Sequence, residues 1–357
     1  MVNDFISGLP EAFPESYECT WKSPSNIALV KYWGKREGQI PANPSISFTL
    51  DHCATTTTVK FKAKPDKGFD FQLLLEGSPQ PSFHPKIGKF LERIASYMPF
   101  LESYSMDINT SNSFPHSSGI ASSASGMSAL ALCLMSLEKF LFPEMDDAYF
   151  WRKASFLARL GSGSACRSLE GPLVSWGEHR NIPVSSDLYG TPYRGGMHPV
   201  FSGYQDTILL VDKGQKQVSS TVGHGLMHGH PFADARFSQA HHNLDELMKV
   251  LTAGDQDGFI RIVESEALTL HAMMMSSQPY FILMKPNTLE IINRIWKFRE
   301  ENTSKLCFTL DAGANVHLLY PASEKEEVLK FIEAELVGYC EHGQYICDRV
   351  GTGAKQL

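Results

Sequence analysis

Residues 113–135, SFPHSSGIASSASGMSALALCLM, constrain this chain more than any other stretch. A run of small residues leads straight into a segment, 129–141, that is apolar almost all round. A helix without a polar face has no side to give to water, so it has to lie inside a domain with other elements packed around it. The small residues ahead of it let the backbone approach a ligand closely, and Pro115 fixes the direction of entry. The first N–H groups of such a helix lack intrahelical partners and add to the positive end of its dipole, so phosphate oxygens are natural guests. Ser122 and Ser123 can add hydroxyl donors. The stretch is neither a GxxxxGK[ST] loop nor a GxGxxG turn, and on chemistry alone it reads as an anion or nucleotide site. The bland alternative is a helix start whose small residues only permit close packing.

With 357 residues the chain exceeds the usual ~100–200 residues of one domain, so two domains are expected. Strand patterns occur at 27–30, 46–50, 55–61, 69–75 and 106–110, and helical spacing at 85–98 and 151–160. The Gly-, Pro- and Tyr-rich stretch 187–204 places a boundary that divides the chain into 1–190 and 191–357. Beyond it, strands are expected at 207–211, 306–310 and 316–320, with helices at 236–253, 256–275, 287–301 and 324–337, forming a small α+β sandwich. A net charge of −7 argues against general binding to nucleic acid or anionic membrane, so an anionic ligand has to be gripped locally. Seven cysteines without CxxC spacing read as buried thiols. No stretch reaches ~18 uninterrupted apolar residues and the N-terminus has no basic-then-apolar leader, so a cytoplasmic location is expected.

Three further places carry chemistry. Asp311 follows the apolar run CFTL and opens the turn DAGAN; it is either a turn residue or a carboxylate positioned to orient or deprotonate a hydroxyl. Arg167 lies in the Gly/Ser turn GSGSACRS, where it either tethers the turn or binds a carboxylate in a bidentate fork. In KYWGK, Lys31, Tyr32 and Lys35 surround Trp33 and Gly34, as a basic turn or as ligands to an anion. His224, His228 and His230 fit no strong metal-ligand spacing, and no metal site is expected.

The loop Pro115, Gly119, Ile120, Ala121, Ser122, Ser123, Ala124 resembles the PxxxGLASSA loop of the GHMP small-molecule kinases. Within that superfamily, NIALVKYWGKR (26–36), PANPSISFTL (41–50), GSGSACRSLEG (161–171), KQVSST (216–221) and FTLDAGANVHLL (308–319) resemble diphosphomevalonate decarboxylases, in the same order and over nearly the whole chain. The resemblance implies an α+β chain of two domains. The N-terminal one is ribosomal S5 domain 2-like and binds ATP and substrate; the C-terminal one is a ferredoxin-like α/β sandwich carrying the catalytic aspartate. It implies ATP-dependent decarboxylation of mevalonate 5-diphosphate to isopentenyl diphosphate, with Mg2+ carried by ATP and a homodimer as the common assembly.

By the same resemblance Asp311, Arg167, Lys35 and Asn26 are catalytic, with Asn26 helping to position the arginine. Ala28, Tyr32, Lys35, Ser162, Ser164, Arg167, Ser220, His224 and Lys86 surround the substrate. Lys31, Ser117, Ser118, Gly119, Ala121, Ser122 and Ser123 hold ATP. The chain departs from the family in reading SSTVGH, with His224 at a methionine position, and in Glu76-Gly77 for Asn-Gly; Lys86 stands near a usual arginine. These departures bear on the substrate's phosphorylation state. They keep open a mevalonate 5-phosphate decarboxylase, a mevalonate 3-kinase of the same fold, or a non-catalytic ligand-binding protein.

Overall fold

Two long antiparallel strands, Ser16–Val30 and Ser45–Ala63, form the spine of the first sheet in a computed structural model that describes residues 2–115, 120–213 and 220–357. Tyr104–Asn112 pairs with the second of these, and Asp70–Leu75 lies parallel to Tyr104–Asn112. Leu173–Trp176, unforeseen from the sequence, pairs with Ser45–Phe48. The expected strands 46–50 and 55–61 are one continuous strand. Its pairing with Ser16–Val30 slips between Pro24 and Asn26, and the carboxylate of Asp348 fills the gap by accepting the N–H groups of Asp51, His52 and Cys53 at 3.0, 2.9 and 2.6 Å. Polar residues that resemble a turn are thus kept extended from outside the ladder.

The apolar helix is Ser122–Leu141, seven residues longer at its start than the apolar stretch alone indicated. Its serines join the helix because their hydroxyls find partners. Ser128 donates to the Ala124 carbonyl at 2.7 Å, and Ser125 meets the Thr55 hydroxyl at 2.6 Å. The helix is long and apolar enough to cross a membrane, yet it lies buried between the first sheet and the helix Asp147–Gly161. Leu130, Leu132, Leu134, Met135 and Leu137 join Val59, Phe61, Ile108 and Phe156 in one core. The helix expected over 85–98 ends as His84–Ile94.

The second sheet has four antiparallel strands in the order Cys307–Thr309, Val316–Tyr320, Gln205–Leu209, Tyr345–Arg349. Tyr345–Arg349 escaped the sequence reading because YICDR is short and ends in charges. The helices Ala233–Ala253, Gln256–Met275 and Pro286–Asn302 accompany this sheet, while the expected helix 324–337 is α-helical over Lys325–Phe331 and then widens to a π-turn over Ile332–Leu336. The halves are not independent bodies. Ile27, Phe48 and Leu50 share a core with Leu244, Phe259 and Ile262, and the final strand Lys355–Gln356 returns to pair with Trp21–Lys22. Six cysteines are buried as expected; Cys347 is exposed, because it stands on the last strand at the edge of the second sheet.

Candidate active site

At the end of the first strand the backbone of Lys31 is clamped by the second half of the chain. Its N–H donates to Glu266 Oε2 at 2.8 Å, and its carbonyl accepts from Arg236 Nη2 at 3.2 Å. Arg236 and Glu266 are themselves a fully buried ion pair, 3.0 Å at Nη1–Oε1 and 2.5 Å at Nη2–Oε2, and Asn243 donates to Glu266 Oε1 at 2.6 Å. So fixed, Lys31, only 1% exposed, extends its ammonium to Asp311 Oδ1 at 3.0 Å. Burial lowers the pKa of that ammonium, and the neighbouring Asp311 and Glu266 carboxylates oppose the shift.

Past Lys31 the chain must turn sharply. Gly34 takes φ +96°, a left-handed conformation that glycine tolerates, and its N–H donates to His224 Nδ1 at 3.0 Å. Lys35 then projects forward with its ammonium donating to Gln39 Oε1 at 3.0 Å; burial lowers its pKa, and Arg93 adds to the effect.

Arg167 ends the short 3-10 turn Gly163–Arg167, is 3% exposed, and lies over the Trp176 ring at 5.8 Å. One guanidinium N–H donates to the Ser45 hydroxyl, while its Nε has no hydrogen-bond partner among the described residues. Burial pushes its pKa down, against the nearby Cys166, Asp311 and Tyr32. A buried guanidinium with an unsatisfied N–H is costly unless an acceptor arrives to use it. Asn26 serves this turn from behind. Its amide donates to Ser168 Oγ at 2.7 Å and the Ser164 carbonyl at 3.3 Å, so it positions the turn and neither bonds the guanidinium nor lines the cavity.

The strand Cys307–Thr309 delivers Asp311 to the same place. Its carbonyl accepts from His271 Nε2 at 3.1 Å and from the Gly313 N–H at 2.7 Å, which pins the turn to the helix Gln256–Met275.

These segments enclose a cavity of about 410 Å3. Of the residues expected from the sequence, Ala28, Lys31, Tyr32, Lys35, Lys86, Ala121, Ser123, Ser162, Ser164, Arg167, His224 and Asp311 line it. Lys86 is exposed at its rim. Ser122 does not line it, and Ser117, Ser118 and Gly119 lie outside the described residues, as does the side chain of Ser220. Ala121 caps the buried helix at φ 44°, ψ 36°, and with Ser123 brings that helix's N-terminus to the cavity wall. Trp33, Gln39 and Leu270 also line the cavity and went unassigned. Trp33 stood in plain view within KYWGK, whereas Leu270 gave no local signal. Glu266 and Arg236, which hold Lys31, were equally silent, because each reads as an ordinary helix charge.

His224, read from the sequence as a substrate contact, is 8% exposed and packed between the Tyr32 and Trp33 rings, with centroids 4.2 and 4.6 Å away. Burial, then Lys35 and Arg167, lowers its pKa to about 3; burial likewise lowers that of His271 to about 4. Both are therefore neutral in the folded chain, and on unfolding each takes up a proton below about pH 6.5. Their contribution to stability is fully present above that value and is lost as pH falls toward 4. The melting temperature is expected to drop across this window, and H224Q to shallow the slope; a flat profile in both proteins would remove the effect.

A model of diphosphomevalonate decarboxylase-like N-terminal domains matches residues 23–188, and one of mevalonate 5-diphosphate decarboxylase C-terminal domains matches 207–351. The chain is 31% identical over 342 residues to the diphosphomevalonate decarboxylase of Ganoderma lucidum, covering 88% of this chain and 81% of the relative. The mevalonate diphosphate decarboxylase of Staphylococcus aureus superposes with a TM-score of 0.82 at 26% identity, over 96% of this chain and 98% of that one. A structure of MDDEF in complex with MVAPP, AMPPCP and magnesium superposes with a TM-score of 0.81 at 26% identity, over 96% and 99%.

Proposed function

Because the chain belongs to the diphosphomevalonate decarboxylase family, a GHMP-kinase-fold family, we propose that its cavity performs ATP-dependent decarboxylation of mevalonate 5-diphosphate. The products are isopentenyl diphosphate, ADP, phosphate and CO2. The observation that carries this reading is the Lys31–Asp311 pair, 3.0 Å across, in one cavity with the buried Arg167 whose Nε awaits an acceptor.

Asp311 orients the substrate's tertiary hydroxyl and takes its proton as the oxygen bonds to the terminal phosphorus of ATP and the bond to ADP breaks. Arg167 grips the carboxylate. When the new phosphate leaves with its C–O electrons, the C–C bond to the carboxylate supplies the pair for the double bond and CO2 departs. Tyr32, Lys35, Lys86, Ser162 and Ser164 face the diphosphate, and the start of Ser122–Leu141 with Ser123 faces ATP phosphates. Lys31, expected at ATP, is assigned instead to hold Asp311 in its charged form. Cavity cations and a helix N-terminus suit a nucleotide; Mg2+ enters with ATP and neutralises its phosphate charge. The reading extends to residues 1–190 as the ATP- and substrate-binding half, 191–357 as the half carrying Asp311, a homodimer and a cytoplasmic location.

Purified protein given ATP, Mg2+ and mevalonate 5-diphosphate should release ADP and CO2 in equal amounts, read by a coupled assay and by trapping labelled CO2. ADP without CO2 identifies a kinase that stops at the 3-phosphate; neither product sinks the enzyme reading.

A further inference from the structure

His224 is placed to do more than fill the wall of the cavity, and we infer that its Nε2–H donates to a phosphate oxygen of the substrate, making it a specificity-determining residue. This rests on the decarboxylase reading above. The Gly34 N–H donates to Nδ1 at 3.0 Å, so Nδ1 is the acceptor nitrogen and the proton of the neutral ring resides on Nε2. The ring cannot easily turn over. It is held between Tyr32 and Trp33, and the helical turn Ser220–Gly225 that carries it lies so near Trp33 that a Cβ on Gly223 would stand 2.6 Å from Trp33 Cη2. Nε2 makes no hydrogen bond to any described residue, while His224 lines the cavity. The donor is thus left to whatever fills that space.

The neighbourhood decides what this is. Lys35 and Arg167 line the same cavity and their charges act on the ring, and Lys35 follows directly on the Tyr32–Trp33–Gly34 segment that seats it. Cations on this side call for an anion, and a neutral donor adds a directional hydrogen bond there without further cation–cation repulsion. The phosphate end is favoured over the carboxylate because Arg167 has its own fork for the latter. A phosphate lacking the oxygen that reaches His224 leaves this donor unpaired, which is how the site tells substrates apart.

The test uses the full chain labelled with 15N-histidine, the His224 signals being assigned by their absence in H224Q. Long-range spectra should show Nε2 protonated and Nδ1 unprotonated in the free protein, and Nε2 should shift with inorganic pyrophosphate or mevalonate 5-diphosphate but not with mevalonate. In steady state H224F, which keeps a ring but no donor, should raise KM for mevalonate 5-diphosphate roughly tenfold with kcat within about threefold, while H224Q stays within about threefold in KM. An unshifted Nε2, a shift with mevalonate alone, or an unchanged KM in H224F overturns the assignment. Should H224F fail to fold, the wild-type spectra decide. Pyrophosphate binding is read without turnover, so this outcome is separate from the CO2 assay that judges the decarboxylase reading.

Discussion

Asp311→Asn lowers kcat by about 10³-fold, within the range general bases contribute, and leaves ATP affinity within about threefold. The amide keeps the shape of the side chain and can still accept a hydrogen bond from Lys31, but it cannot take the hydroxyl proton. The ion pair at 3.0 Å is lost, so the buried Lys31 ammonium has one fewer reason to stay charged. The turn itself survives, because His271 and Gly313 donate to the backbone carbonyl of residue 311 and not to its carboxylate. ADP and CO2 should therefore disappear together in single-turnover experiments while the fold and nucleotide binding are retained, the melting temperature falling by only a few degrees because the amide oxygen still accepts from Lys31. Turnover within tenfold of wild type, in a variant that binds ATP normally, would take Asp311 out of the chemistry.

Arg236→Met is expected to destabilise the fold by about 3–5 kcal/mol, because it leaves the Glu266 carboxylate buried without its counter-charge. For a chain of this size that corresponds to a fall in melting temperature of roughly 5 °C. Both side chains of the pair are fully buried, so solvent does little to screen the loss. Arg236→Met combined with Glu266→Leu removes both charges and should recover part of the stability, since a packed apolar pair can replace a buried ion pair, while the Lys31 N–H and the Asn243 amide lose their acceptor. Activity should not recover with it. The N–H of Lys31 loses its acceptor and its carbonyl keeps only the Asn43 amide, at 2.9 Å, so the ammonium loses part of what fixes its reach to Asp311. A double variant with wild-type stability and wild-type kcat would assign the pair to packing alone.

Asp311 and the Arg236–Glu266 pair differ in how far the neighbouring sequence marks them. Asp311 stands beside a strand in DAGAN, and the chemistry of a carboxylate at a strand end is already suggested by its neighbours along the chain. Arg236 and Glu266 occupy two helices 30 residues apart, and their meaning arises only when both reach Lys31, 235 residues from Glu266. The strand Ser45–Ala63 is a similar case. Its first and last portions alternate as a strand should, but its continuity depends on Asp348, nearly 300 residues away.

By itself, then, the sequence determined the buried helix, most of the strands and helices that build the two halves, and the segments that carry chemistry. Each of these is local. An all-round apolar helix has to be enclosed, and a Gly-lined turn or strand end shows which side chains are available. Tertiary structure alone decided the pairings: Lys31 with Asp311 across 280 residues, Asn26 with the turn behind Arg167 instead of with its guanidinium, and His224 with Gly34. Distances between segments come from how sheets and helices pack, and side-chain pattern along the chain carries little record of them. That is why the small residues at 122–128 resembled a loop until Thr55 and the helix carbonyls took up their hydroxyls.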